Sequence, residues 1–312
     1  MTGVLLSRRA LLLSLVGATA VVLTGCGPGE TPTNMRMACG EPGGTYIRFG
    51  HLLGSAVVAE GVARSMTAVP TDGSIENIAL LRAGDVDLAI ALADSAAIDP
   101  HGLVSIGRVY QNYLQCIVPI GGPVTAAADL AGRTVSIGAP ESGTAETSRR
   151  VLDALGLTSG EHAATVVELN LADAVTALQT GRIDALMWSG GIPVPELDRL
   201  DGVMPVTLVD LSGAMARLGA TSPAYQPTVV PAGMYGLAEP MPTIGVPNFL
   251  LSRADLPDAI ATALVDILID DAVRLVPERS AGLQYLTPSS LIDTGAMPLH
   301  PAARRRYLER YG

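Results

Sequence analysis

GAPESGTAETSRRV (residues 138–151) and GEPGGTY (residues 40–46) share one pattern: G-x-P, a short gap, then Gly-Thr. Each follows a short run of strand character, RTVSI in one case and MRMAC in the other, so each reads as a turn by which a strand enters a helix. A second pair repeats at nearly the same interval. LRAGDVDLA (residues 81–89) and LQTGRIDAL (residues 178–186) share L-x-x-G-x-[VI]-D, which reads as a helix end, a glycine stop and a new strand. Thr45 and Thr144 lie 99 residues apart and Leu81 and Leu178 lie 97 apart, so the chain builds one β-α-β-type unit twice. This predicts an α/β fold of two lobes, each a mainly parallel sheet flanked by helices, with a cleft and a hinge between them.

Two further stretches place the hinge. NYLQCIVPIGGPV (residues 112–124) is an apolar strand that ends at a Gly-Gly-Pro break, and MPTIGVPNFLLSRADLP (residues 241–257) offers a second crossing between lobes. Lobe I then takes residues 34–118 plus 245–312, and lobe II takes 119–244. After the second crossing Asp255 reads as the cap of a helix with Pro257 and Asp258 in its first turn. Its apolar face carries Ile260, Leu264, Ile267 and Leu268.

The start of the chain has a different character. Arg8 and Arg9 precede an apolar run from Ala10 to Leu23, followed by LTGC ending at Cys26. The run is shorter than the roughly 20 residues that cross a bilayer, so residues 1–25 read as an export signal with a lipidation box. SRRALLL resembles a twin-arginine signal and also suits the general secretion route. Cys26 becomes the lipidated first residue, and residues 26–33 form a flexible tether to the outer face of the membrane. Without the leader the chain carries 18 basic against 30 acidic side chains, a net of −12, which argues against nucleic acid as a partner. Every basic residue is arginine. A phosphate loop of the GxxxxGK[ST] kind and Schiff-base chemistry both need a lysine and are excluded. Cys39 and Cys116 sit in apolar stretches and read either as a disulfide of an exported protein or as two buried thiols.

In a parallel α/β sheet the ligand cleft lies at the carboxyl ends of the strands, where both Gly-Thr turns fall. A helix start leaves backbone N–H groups unpaired and carries about half a positive charge, so it attracts a carboxylate or phosphate. Glycine allows close approach, and Ser142 and Thr144 add hydroxyls. The competing reading is simple capping of the helix by Ser142 or Thr144. Glu141 would repel an anion unless it points to solvent or meets a ligand amine. Arg149 and Arg150 read as a solvated face, while Arg48 lies nearer its own turn. His51, His101, His162 and His300 show no zinc spacing, so no metal is expected. Ser142 and Ser189 lie outside any G-x-S-x-G. No catalytic constellation is assigned, and no cofactor.

Taken together, GGTYIRFG, DGSIENIALLRAGDVDLAIA, DLAGRTVSIGAPESGT, LQTGRIDALMWSGGIPVPEL, VPAGMYG and PLHPAARRRY resemble the TAXI-type extracytoplasmic solute receptors of TRAP transporters. The resemblance implies a periplasmic-binding-protein-like fold that closes on a small organic acid or amino acid, such as 2-oxoglutarate or glutamate, and delivers it to a TRAP-type membrane permease. It implicates Gly44, Thr45 and Tyr46 of the first turn, Ser74 and Asn77 of GSIEN, Ser142, Gly143 and Thr144 of the second turn, and Trp188 as a cleft wall. Asp94 is retained, but Leu92 stands where the family commonly has glutamine, which removes a polar ligand contact. Two other readings share the architecture: the ligand-binding component of a signalling system, and a secreted hydrolase or transferase.

Overall fold

The computed structural model describes residues 34–312. The expected leader, the expected tether and Cys26, the expected lipidation site, lie outside the described residues. The first unit is β1 (Asn34–Ala38), α1 (Thr45–Ala59), β2 (Ser65–Val69), α2 (Ser74–Ala83) and β3 (Leu88–Leu92). A one-turn helix α3 (Ala93–Ala96) and a 17-residue strand β4 (Leu103–Pro119) lead out of it. The second unit is β5 (Thr134–Ser136), α4 (Gly143–Ala154), β6 (Thr165–Val167), α5 (Leu171–Gln179) and β7 (Ala185–Gly190). There follow α6 (Pro195–Asp201), β8 (Val206–Leu208), α7 (Met215–Thr221), β9 (Gln226–Val230), β10 (Met241–Arg253), α8 (Asp258–Asp270), α9 (Pro288–Leu291) and α10 (Pro301–Tyr311).

The duplication is real in three dimensions. In the first unit β1 lies between β2 and β3, in the second β5 lies between β6 and β7, and all four pairings are parallel. The shared aspartate explains itself. Asp87 N–H donates to Arg36 O (2.9 Å) while its carboxylate accepts from Arg36 N (2.8 Å). Asp184 does the same with Thr134, at 2.8 and 2.9 Å. In both units this side chain ties the start of the third strand to the first, so L-x-x-G-x-[VI]-D marks a register point.

The two parallel triplets are continuous through β10 and β4, giving the order β2-β1-β3-β10-β4-β7-β5-β6, with β8 on β4 and β9 on β10. The fold is thus a two-lobed α/β architecture in which one curled, mixed sheet runs through both lobes. β4 pairs with β10 along most of its length and with β7 from Tyr113 onward, whereas β10 pairs with β3 from Asn248 onward. These long strands are the two stretches that the sequence marked as crossings. They pair antiparallel, with register irregularities between Pro247 and Phe249 and between Leu250 and Leu251. Such bulges are where a strand bends.

Separate apolar cores serve the two sides. Phe49, Leu53, Ile106, Leu264, Leu268 and Tyr307 belong to a cluster under the first unit. Val135, Ile137, Val151, Leu152 and Met187 belong to one under the second. Each such side chain contributes about 1.5–3 kcal/mol on burial. The amphipathic reading of α8 holds, with Leu264, Ile267 and Leu268 buried and Ile260 packed against the core. Asp255 does not cap it: Pro257 occupies the N-cap, and Asp255 instead accepts from Arg253 Nε at 3.1 Å. Cys39 and Cys116 are both free and buried, so the thiol reading holds over the disulfide. Burial pushes each thiol up to about 12.

Candidate functional site

Three helices begin at one point. Gly44 and Thr45 at the start of α1, Gly73 and Ser74 at the start of α2, and Ser142, Gly143 and Thr144 at the start of α4 all line one cavity. Gly40, Glu41, Tyr46, Asp72, Leu92, Asn112, Trp188, Ser189 and Gly190 complete its wall. The helix starts face it because in both units the strand-to-helix turn leaves the carboxyl edge of the sheet. Gly44 and Gly73, as N-caps, supply no side-chain cap. Ser142 does cap α4: its Oγ accepts from Ala145 N (3.0 Å) and donates to Ala139 O (2.7 Å). The capping reading therefore holds for Ser142, whose hydroxyl proton is already committed.

The paired threonines act alike. Thr144 Oγ1 accepts from Ser189 N at 3.2 Å and Thr45 Oγ1 accepts from Gly191 N at 3.1 Å. Both brace alternate residues at the end of β7. Thr45 does so from the first unit, so it stitches the two sides together. A polar chain runs the same way. Ser74 Oγ lies 3.2 Å from Tyr46 OH, which donates to Asn248 Oδ1 (2.5 Å). Asn248 Nδ2 donates to Asn112 Oδ1 (2.9 Å), and Asn112 Nδ2 to Ser189 O (3.1 Å). The chain thus passes from α2 through both hinge strands to β7.

The two sides are in contact. A Cβ on Gly143 would fall 2.6 Å from Ser74 Oγ and 2.7 Å from Leu92 Cδ1, and Glu76 N donates to Glu141 O at 3.2 Å. The enclosed space is about 40 Å³, and one water needs roughly 10–15 Å³. Three residues of its wall each carry a buried polar atom without a partner: Trp188 Nε1, Ser189 Oγ and Glu41 Oε1. Trp188 and Ser189 are 7 % and 6 % exposed. Glu41 Oε2 accepts from Leu171 N at 2.7 Å, at the start of α5. Burial foremost, with Asp72 and Asp173 nearby, pushes its carboxyl up to about 7.

Eight of the ten residues named from the sequence line this cavity, and two do not. Asn77 is fully buried beneath it: it accepts from Thr71 Oγ1 (2.5 Å) and donates to Cys39 O and to Ile90 O (2.7 Å). It therefore clamps α2 to β1 and β3. Asp94 faces away from the cavity, fully buried, and accepts from Thr147 Oγ1 (2.7 Å), Tyr225 OH (2.9 Å) and Ser95 N (2.8 Å). Burial foremost raises its carboxyl above the ordinary range, against those bonds and the Arg150 charge. Its partners Thr147 and Arg150 lie on α4, so Asp94 also joins the two sides. Arg150 pairs with Glu146 at 2.7 Å, Arg149 with Glu168, and Glu141 is exposed. Arg48 turns back to Gly44 O at 3.4 Å.

The sequence reading passed over Glu41 and Asn112, and weighed Ser189 only as a nucleophile. Glu41 stands inside the quoted GEPGGTY turn, and Asn112 lies in a strand whose other residues are mostly apolar; both were visible as polar anomalies. Among the described residues no cluster of three or more His, Cys, Asp or Glu could hold a metal ion, and no helix is long and apolar enough to cross a membrane.

Duplicated units, a hinge of two long strands and a cavity at three helix starts define a two-lobed binding-protein fold. The chain belongs to the NMT1-like family, whose pattern matches residues 37–310. Among solved structures it is similar to a Xanthomonas citri protein bound to ATP, at 14 % identity and a TM-score of 0.53, over 89 % of this chain and 95 % of that one. It is also similar to a Bordetella bronchiseptica RB50 protein, at 16 % identity and a TM-score of 0.51, over 79 % of this chain and 76 % of that one. The periplasmic aliphatic sulphonate binding protein SsuA from Escherichia coli matches at 16 % identity and a TM-score of 0.46, over 89 % of this chain and 84 % of that one.

Proposed function

We propose that the protein is an extracytoplasmic solute receptor, lipid-anchored through Cys26, that closes on a small carboxylate-bearing solute and delivers it to a TRAP-type permease. One observation carries the binding part: three wall residues with unpartnered buried polar atoms line a single cavity where three helix starts converge. A buried donor left unmade costs about 1–3 kcal/mol, so the wall is arranged for a guest that completes it. Helix starts and the donors Trp188 Nε1 and Ser189 Oγ favour an anion. No lysine or arginine lines the cavity, so the charge is met by backbone and neutral donors. The solute contacts both lobes, and closure follows from its greater affinity for the closed form. Residues 34–118 with 245–312 form one lobe of this hinge and 119–244 the other. The delivery step and the TAXI-type assignment rest on the motif resemblance.

The test is a thermal-shift and scattering series on the purified chain with amino acids, mono- and dicarboxylates and 2-oxo acids. A ligand at about 100 times its Kd adds roughly 2.7 kcal/mol of stability, so a true solute raises the melting temperature and reduces the radius of gyration together. No shift with any carboxylate overturns the reading. Delivery is tested by uptake of the identified solute in cells with and without the receptor.

A further inference from the structure

The cavity wall is unbalanced in a telling way. Trp188 Nε1 and Ser189 Oγ can donate, as can the helix starts, and a carboxylate satisfies them all. Glu41 Oε1 is an acceptor, buried and unpaired on the same wall. Ionised, as it is on the alkaline side of about 7, it repels a simple carboxylate and calls for a donor. We infer that Glu41 is the specificity-determining and closure-coupling residue: Oε2 caps α5 of the opposite side, and Oε1 accepts an N–H or O–H from the solute. This rests on the receptor reading above and narrows it. The solute class becomes short acids that carry an ammonium or hydroxyl group beside the carboxylate, and 2-oxo acids and plain carboxylates bind weakly.

The geometry explains the coupling. Glu41 sits in the β1–α1 turn of the first unit, yet its Oε2 reaches Leu171 N at 2.7 Å in the second. That N–H opens α5, so the carboxylate completes a helix start that Asn170, through Asp173 N (2.9 Å), caps only in part. A solute donor on Oε1 holds the carboxylate ionised and aimed, and so strengthens the bond to α5. The charged groups that bear on it are Asp72 on the turn before α2 and Asp173 on α5; beside its turn lie Glu196, with Oε1 2.5 Å from where a Cβ of Gly43 would be, and Arg48, bonded to Gly44 O. Burial and the Asp72 and Asp173 carboxylates raise the cost of ionising Glu41, and a positive group on the solute offsets it.

The experiment titrates the purified chain by calorimetry with matched acids: glycine and glycolate against acetate and glyoxylate, and alanine and lactate against propionate and pyruvate. The expected result is that the tighter donor-bearing acid of a set binds at least tenfold better than its donor-free partners. Glu41→Gln then reduces the ratio to within about twofold, weakening the donor-bearing acid and strengthening the plain carboxylate, which no longer meets a second carboxylate. Because the amine needs an ionised partner, its affinity falls as pH drops from 8 to 6 through about 7, while that of the plain carboxylate does not. Equal affinities across a set overturn the inference and leave the receptor reading standing, and so does a Glu41→Gln protein that keeps the discrimination. Binding of none of the acids overturns both. Should Glu41→Gln fail to fold, the ratio and its pH dependence in the unaltered chain decide alone.

Discussion

Thr144 shows how one hydroxyl serves structure and site together. The sequence offered it as a hydroxyl for the ligand or as a helix cap. Its oxygen accepts the Ser189 amide, which is buried, and its proton is left to donate. Thr144→Val therefore leaves an N–H without a partner, at a cost of about 1–3 kcal/mol. We expect the melting temperature to fall by several degrees along with solute affinity, and Thr144→Ser to restore both. Thermal melts and titration of the three proteins check this. Asp94 is the converse case. Its carboxylate spends its lone pairs on Thr147, Tyr225 and Ser95, and Asn would set an amide N–H₂ against hydroxyl and guanidinium donors. Asp94→Asn should destabilise the fold by about 1–3 kcal/mol without changing which acids bind; a shift in selectivity at unchanged stability would place Asp94 in the site after all.

At the scale of elements, close approach is the controlling quantity. Gly143 opens α4 with ordinary helical geometry, so alanine suits its backbone and favours the helix by up to about 1 kcal/mol. A methyl there would nonetheless stand 2.6 Å from Ser74 Oγ on α2. Gly143→Ala should keep or raise the melting temperature of the free protein while weakening solute binding tenfold or more, because it props α4 away from α2. Scattering should show a chain that no longer compacts with solute. The paired turns and the paired L-x-x-G-x-[VI]-D runs were legible because each has a local cause: a tight turn before a helix, and an aspartate that fixes register. Asp255 was misplaced because capping was judged from spacing alone, whereas Arg253 competes for its carboxylate. The roles of Asn77, Asp94 and Glu41 were not legible, since each is fixed by at least one partner 13 to 131 residues away. Sequence spacing cannot rank such contacts.

For the molecule as a whole, the two sides share strands but keep separate cores, and each core holds one thiol: Cys39 under the first unit and Cys116 under the second. Both stay neutral through physiological pH because burial raises them, and both lack access to reagent. Labelling of these thiols should be slow in the native protein and should accelerate with denaturant. If Cys116 labels before Cys39, the second side opens independently; simultaneous labelling means that β4 and β10 make the two sides one cooperative unit. Mass spectrometry of digested samples distinguishes the sites.

The threading of β4 and β10 also sets an order of assembly. The second unit is contiguous, with β5, β6 and β7 paired within residues 134–190, so its contacts are local and quick to form. The first unit is not self-sufficient. β3 finds its second neighbour only in β10, where Leu92 pairs with Asn248, and Tyr307 of α10 closes on Ile106 O at 3.0 Å. The part of the chain made first is therefore finished last. A nascent chain stopped before residue 241 would present paired β5, β6 and β7, their core still lacking Ile244 and Val246, beside a β3 edge with no partner, and an open strand edge of that kind is a template for aggregation.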